Sequence, residues 1–186
     1  MEERVPPWFP AWCIEFSEPV NDVRAMASNL MEHRDDSRWM LLGYPTATSE
    51  RHLWAAWMAV RERASSGQMV SNSIDGEFLR LMAGTHQMRV AFSRAGVREG
   101  DNRAWLLRLP EWNDGNEVPE LTVMNPELNH QADSLMGWIG AELIALRPHP
   151  TLEGMVRLGA IEDDEEDPAN WESLALSHIA LADVAV

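Results

Sequence analysis

The chain has 186 residues, of which 45% are hydrophobic, enough for one sizeable core in a single domain. It carries 30 acidic and 15 basic residues, for a formal net charge of -15, and every basic residue is an arginine. The absence of lysine excludes a Walker-type phosphate lysine, a kinase ATP-binding lysine and Schiff-base catalysis. The acidity argues against non-specific binding to duplex nucleic acid, so any nucleic-acid contact is expected to be local and to depend on arginine.

Several other classes of protein and site are excluded by what the sequence lacks. No segment resembles a signal peptide or is apolar over the length of a bilayer, so we expect a soluble, cytoplasmic protein with no membrane partner. The single cysteine, Cys13, excludes an internal disulfide, and its apolar neighbours predict a buried thiol. The six histidines lack the spacing of metal ligands, so we predict no metal site and no cofactor.

In the first half of the chain the sequence predicts strands alternating with helices. After a Pro- and Trp-rich tail, assigned to residues 1–11, the apolar pattern predicts a strand at Trp12–Phe16, a helix opening at Pro19–Asn21, a strand at Trp39–Tyr44 and a helix from Thr48 or Ser49 to Gly67. Two short helices follow, one from near Ile74 to Gly84 and the next from Thr85 to Gly96.

The second half begins with two strands. They are predicted at Ala104–Leu109 and Leu121–Met124, on either side of a flexible loop near residues 110–120 that is rich in turn residues. Taken with the first half, this order of elements predicts a single α+β domain over residues 12–184. In it, a small mixed β-sheet of about four strands packs against several helices.

Two helices are predicted after these strands. Asn125 and Pro126 form a cap followed by a first-turn proline, and the helix they open carries an apolar face that ends before Pro148: Leu135, Ile139, Leu143 and Leu146. A second flexible loop is predicted near residues 161–167, which are mostly acidic. Asp167 and Pro168 repeat the capping pattern and begin a last helix that reaches about Asp183.

The segment from residue 71 to residue 96 has more polar residues at its helix starts than capping requires. One of Ser71, Asn72 and Ser73 suffices to cap the helix near Ile74, and Thr85 suffices for the next helix. The surplus lies where two helix N-termini offer unpaired N–H groups and positive dipole ends, which suit an anionic ligand such as phosphate. Capping alone is the simpler interpretation, and the residues leave both open.

The same region carries a resemblance to a known family. Residues from about Tyr44 to Asp101 resemble the family of the smallest KEOPS subunit, which includes archaeal proteins and the PRPK-binding protein. The similar pieces are the ERHLWAA helix start, the M-x-S-N-S turn before a helix bearing Glu77, the A-G-x-x-Q break at Ala83–Gln87 and the A-F-S-R-A-G helix end. The HIALAD segment of the last helix is also similar.

The resemblance implies a non-catalytic accessory subunit. Members of this family bind and stimulate the small kinase-like ATPase of KEOPS, which makes threonylcarbamoyl-adenosine in tRNA, and archaeal members also hold the single-stranded 3′ CCA end. A small polar platform suits a single-stranded end, which is recognised through base edges, stacking and a few phosphate contacts. The RNA-binding candidates in this chain are Ser71, Asn72, Ser73, Arg80, Gly84, Thr85 and Gln87. Arg80, on a different helix face from Phe78, is expected to reach solvent and contact phosphate.

The last helix is apolar over more than one stripe. Leu174, Leu181 and Trp171 form one apolar face, while Leu176 and Ile179 lie on another side. A helix with one buried face needs only the first stripe, so the second indicates either complete burial or an interface. Because the resemblance places the kinase contact partly on this helix, we expect Leu176, Ile179 and Ala180 to belong to a docking surface.

Two other functions remain open from the sequence. The first is an adaptor that binds the kinase-like subunit without touching RNA, because residues 66–68 are neutral where family members often carry lysine. Arg61 and Arg63, on the preceding helix, would be the compensating cations. The second is a small hydrolase of unrecognised type, although the chain has no Gly-x-Ser-x-Gly elbow and its many carboxylates single out no acid/base pair.

Overall fold

The computed structural model describes residues 8–111, 125–162, 167–182 and 184. Four strands in this part of the chain form one sheet, in the order β2-β3-β1-β4. They are β1 (Ala11–Phe16), β2 (Trp39–Gly43), β3 (Arg103–Arg108) and β4 (Ala141–Ile144). The predicted α+β class is confirmed. The three strand pairings are all antiparallel, however, so this sheet is not the mixed sheet that was expected.

Seven α-helices accompany the sheet within the described residues. They are α1 (Val23–His33), α2 (Glu50–Ser66), α3 (Ile74–Met82), α4 (Met88–Ala95), α5 (Pro126–Ile139), α6 (Leu152–Leu158) and α7 (Trp171–Leu181). Three caps agree with the sequence: Ser49 and Ser73 accept hydrogen bonds in the first turns of α2 and α3, and Asn125 does so in α5. The first helix begins later than predicted, because Asp22 is its cap.

Helices cover both faces of the sheet. Trp12 and Ile14 point to one face and pack in a cluster with residues of α1 and α5. Cys13, between them, points to the other face and packs with residues of α2 and α3. The thiol is therefore buried, as expected, and burial raises its pKa to about 11. Burial on both sides explains why the central strands are almost continuously apolar.

The region after α5 differs from the prediction. Gly140 adopts a left-handed conformation with φ of 67°, which ends α5 at Ile139 instead of near Pro148. The next residues form β4, paired antiparallel with β1, so Leu143 lies on a strand and 56% of it is exposed. The strand predicted at Leu121–Met124 lies outside the described residues. The helical spacing of Leu143 and Leu146 was therefore a coincidence of composition.

Other boundaries are defined by packing. Phe9 is completely buried against Trp54 and Phe78, so the packed domain includes residues assigned to the tail. The two predicted flexible loops fall largely on residues outside the described ranges. Within those ranges, the helices are all too short or too polar to cross a membrane.

Helix α6, whose cap is Thr151, was not predicted from the sequence. Gly154, in its first turn, lies against a 3₁₀ turn formed by Tyr44–Thr46, and a Cβ built on it would stand 1.6 Å from the Pro45 carbonyl oxygen. A side chain there cannot be accommodated without moving the backbone of one of the two elements. This close approach explains why a helix start carries glycine.

We expect Gly154→Ala to lower the free energy of unfolding by at least about 2 kcal/mol, because the added methyl group overpacks the contact with Pro45. Gly137→Ala is the matched control, since Gly137 is also helical and its Cβ would meet nothing within 4 Å. That substitution should stabilise the protein by up to about 1 kcal/mol. Chemical denaturation of both variants measures the difference, and equal stabilities would contradict the close approach.

Candidate nucleic-acid interface

The Ser-Asn-Ser turn precedes α3, and its two serines have structural roles. Ser73 is the cap, accepting a hydrogen bond from the Gly76 amide at 3.3 Å. Ser71 supports that cap, because its hydroxyl oxygen accepts from the Ser73 amide at 3.3 Å. Asn72 is exposed, and its side chain makes no hydrogen bond to any described residue. Capping therefore explains both serines, but it does not explain the exposed Asn72.

A buried ion pair lies at the centre of α3. Glu77 and Arg80 are both 0% exposed, and the guanidinium donates two hydrogen bonds to the carboxylate, from Nε at 3.2 Å and from Nη2 at 2.5 Å. The Glu77 carboxylate also accepts from the backbone amides of Val70 and Ser71, at 3.1 and 2.9 Å. The pair thus anchors the backbone at the beginning of the Ser-Asn-Ser turn.

The third guanidinium nitrogen of Arg80 extends this network in the opposite direction. Its Nη1 donates to the carbonyl oxygens of Thr85, at 3.3 Å, and Ala182, at 2.6 Å. His86 reaches the same Ala182 oxygen with Nδ1 at 2.8 Å, and because a carbonyl only accepts, Nδ1 carries the proton. One carbonyl at the end of α7 therefore accepts hydrogen bonds from two side chains, one on α3 and one in the turn after it.

Packing explains the glycine in the break between α3 and α4. Gly84 has a φ of 57°, and a Cβ on it would stand 2.4 Å from the ring of His178. The Nε2 atom of His178 lies 3.0 Å from the carbonyl oxygens of both Ala83 and Leu158. Gly84, proposed from the sequence as an RNA-binding residue, is thus required by the contact between this turn and α7.

Electrostatics inside the domain favour a charged Glu77 and neutral histidines. Burial by itself would raise the pKa of Glu77, but hydrogen bonds from Arg80 and the Ser71 and Val70 amides hold it below the usual 4.5. Burial lowers the pKa of His52 to about 3 and also lowers that of His178. The ion pair is therefore complete at neutral pH, where both rings are uncharged.

Arg80 does not reach solvent, so the prediction that it contacts phosphate from an exposed position was wrong. The reason is tertiary: α3 packs against α2, α4 and α7, and residues 76–82 are all buried. Arg63, suggested as a compensating cation, also points inward, with its Nε 3.8 Å from Glu77 and 14% of its side chain exposed. Thr85 is not the cap of α4, which begins after Gln87, although its hydroxyl oxygen accepts from the Gln87 amide at 3.2 Å.

The predicted docking residues of α7 divide between core and surface. Ile179 is 7% exposed and shares the buried face of the helix with Ala175, His178 and Ala182, so its assignment to a docking surface was wrong. Leu181, assigned to the core, is 52% exposed. Leu176 is half-buried and Ala180 is exposed, as a docking surface requires. Contacts with α2 and α3 select which apolar stripe turns inward.

Three residues that shape this region were not among the site residues predicted from the sequence: Glu77, His86 and Arg89. Glu77 and Arg80 stand three apart on a helix, a spacing typical of an ion pair that was not used. His86 holds the end of α7, and no local pattern indicates this contact because its partner is 96 residues away. Arg89 lies in the first turn of α4, close to Gln87 in sequence, and is exposed, so it replaces Arg80 as the cation near the polar turns.

Several features elsewhere bear on other kinds of site. Trp138 is 55% exposed and stacks on His33 with ring centroids 3.8 Å apart. In the part of the chain that the structure describes, no group of three or more His, Cys, Asp or Glu side chains is placed to hold a metal ion. An open cleft of about 600 Å³, whose walls include Tyr44 and Arg103, is lined by none of the predicted site residues.

No protein-family model matches the chain, and no curated protein matches it significantly in sequence.

We expect Glu77→Gln to lower the free energy of unfolding by about 3 to 5 kcal/mol at pH 7, because it removes the carboxylate that pairs with the buried Arg80 guanidinium. The pKa of Glu77 is depressed in the folded protein, so its contribution is complete above 4.5 and is lost as the pH falls through the folded value. The difference in free energy of unfolding between wild type and variant should therefore become smaller at acidic pH. Denaturation at several pH values measures it, and Glu62→Gln, at an exposed carboxylate on α2, is the control. A gap that is independent of pH would contradict the pairing.

Proposed function

We propose that the protein is a non-catalytic accessory subunit of a KEOPS complex, which binds the kinase-like ATPase subunit and holds the 3′ CCA end of tRNA. One observation supports this proposal beyond the resemblance. The two motifs that carry the resemblance, the Ser-Asn-Ser turn and the break at Ala83–Gln87, are joined by the buried pair of Glu77 and Arg80. The motifs therefore form one structural unit instead of two separate caps.

The surface of this unit suits a single-stranded end. The polar platform consists of Asn72, Ser73, Thr85, His86 and Gln87, with Ser71 beneath its first turn. Asn72, Ser73, His86 and Gln87 are exposed, and Arg89 adds one exposed cation beside them. The two turns stand at opposite ends of α3, which is nine residues and therefore about 13 Å long. Two or three nucleotides in extended form span such a distance, and a short polar contact tolerates an acidic protein better than a duplex footprint does.

We expect Asn72→Ala to weaken binding to a tRNA with an intact CCA end by roughly three- to tenfold, the effect of one lost hydrogen bond. Arg89→Ala should lower the salt dependence of binding, because a phosphate contact is lost. Asn21→Ala is the matched control, since Asn21 is an exposed asparagine in a different turn, before α1. The same tRNA lacking its CCA end should bind weakly to every variant. Equal binding of the two tRNAs would contradict the proposed role in RNA binding.

The adaptor without RNA contact is the second candidate, and the burial of Arg80 favours it. Arg80, the cation that was expected to contact phosphate, is enclosed, and Arg63 points to Glu77. If neither tRNA binds at any salt concentration while the kinase-like subunit does, this second candidate is correct. Binding of intact tRNA that Asn72→Ala weakens contradicts it.

The docking surface for the kinase-like subunit is proposed at the exposed C-terminal side of α7. Leu181 is 52% exposed and Val184 is 65% exposed, beside the exposed Ala180 and the half-buried Leu176. Large apolar side chains grouped at one end of a helix are typical of interaction sites. Ile179 belongs to the core and cannot be used to probe this surface.

We expect Leu181→Arg to reduce the affinity for the kinase-like subunit at least about tenfold while the stability stays close to that of the wild type, because the change introduces a charge at an exposed interface position. Met31→Arg is the control, because Met31 is 55% exposed on α1, on the opposite face of the sheet. Co-purification and titration of the two purified subunits measure the effect. Loss of binding in both variants, or in neither, would contradict the assignment of the surface.

A further inference from the structure

The end of α7 is attached to the polar platform by direct hydrogen bonds. The Ala182 carbonyl oxygen accepts from Arg80 at 2.6 Å and from His86 at 2.8 Å. His178, one turn earlier in the same helix, has its Nε2 atom 3.0 Å from the Ala83 carbonyl oxygen. Three polar contacts thus join one helix end to a segment of seven residues, in addition to apolar packing between α3 and α7.

The contacts continue beyond this turn to the other end of α3. Arg80 donates to Glu77 at 3.2 and 2.5 Å, and Glu77 accepts from the Ser71 amide at 2.9 Å. Two buried side chains therefore connect the backbone of the Ser-Asn-Ser turn with the carbonyl of Ala182. Because a buried ion pair loses much of its stabilisation when one partner is displaced, the Ala182 contacts and the Ser71 contact are expected to form and break together.

We propose that the Ala182 carbonyl couples the polar platform to the docking surface on α7, so that a ligand on the platform strengthens binding of a protein partner at α7. The coupling has two states, one in which Arg80 and His86 both hold Ala182 and one in which these hydrogen bonds are open. A ligand that contacts residues 85–87 prefers the closed state, in which the turn is ordered, and the closed state also orders the exposed end of α7. By linkage, the partner strengthens ligand binding by the same factor.

The first test needs no ligand, and therefore does not depend on the proposed function. In the full chain, His86→Ala removes one of the two donors to Ala182 without leaving a buried charge, because His86 is exposed. Amide hydrogen exchange should become at least about fivefold faster both at Ala182 and at Ser71. Gln87→Ala is the matched control, because Gln87 is the exposed neighbour and makes no side-chain hydrogen bond to a described residue. Faster exchange at Ala182 that does not reach Ser71 overturns the proposal.

The second test rests on the proposed function and uses the kinase-like ATPase subunit and tRNA with an intact CCA end. Saturating tRNA should raise the affinity of the wild type for the kinase-like subunit at least about fivefold. In His86→Ala, the ratio of the affinity with tRNA to the affinity without it should fall towards one. If both partners bind the wild type and the ratio is one, the coupling is wrong while the proposed function stands. If the wild type binds no tRNA, its role in RNA binding fails, and the exchange measurement alone decides whether the two ends of α3 are coupled.

Discussion

The buried ion pair between Glu77 and Arg80 holds together the segments on which the candidate site depends. Burying two charges has a large desolvation cost, so such a pair persists only where hydrogen bonds satisfy both partners. Here the carboxylate accepts hydrogen bonds from the guanidinium and from two backbone amides. The guanidinium also donates to two carbonyl oxygens. The pair therefore fixes three separate stretches of backbone at once: the turn before α3, the turn after it and the end of α7.

The surroundings of α3 explain why an ion pair stands in that position. Because both faces of the sheet are covered, α3 packs among α2, α4 and α7, and residues 76–82 have no exposed side. Polar groups that have to meet there must pair with one another, since water does not reach them. The exposed groups of the region are consequently confined to the two turns, which is where a ligand has access to the protein.

Local chemistry made some of these features predictable. Ser49, Ser73 and Asn125 cap helices, Gly67 ends one, and the continuous apolar runs of the first and second strands are correctly placed. These signals act within a few residues, so the chain around them hardly matters. Prediction failed where two choices had equal local support. The helical spacing of Leu143 and Leu146 favoured a longer α5, whereas the left-handed Gly140 ends that helix. On α7, two apolar stripes were equally suited to face the core, and only one of them is buried.

The sequence by itself determined the α+β class, most strands and helix starts, the buried Cys13 and the two polar turns, because each depends on periodicity or on capping between near neighbours. Only the tertiary structure decided that Arg80 is enclosed and Leu181 exposed, and that His86 meets Ala182. The helix pattern allows several faces of α3 and α7 to turn inward, and contacts between residues about 100 positions apart select one of them. A guanidinium on a short helix is a surface group or a buried anchor according to what packs over it, which no local pattern specifies.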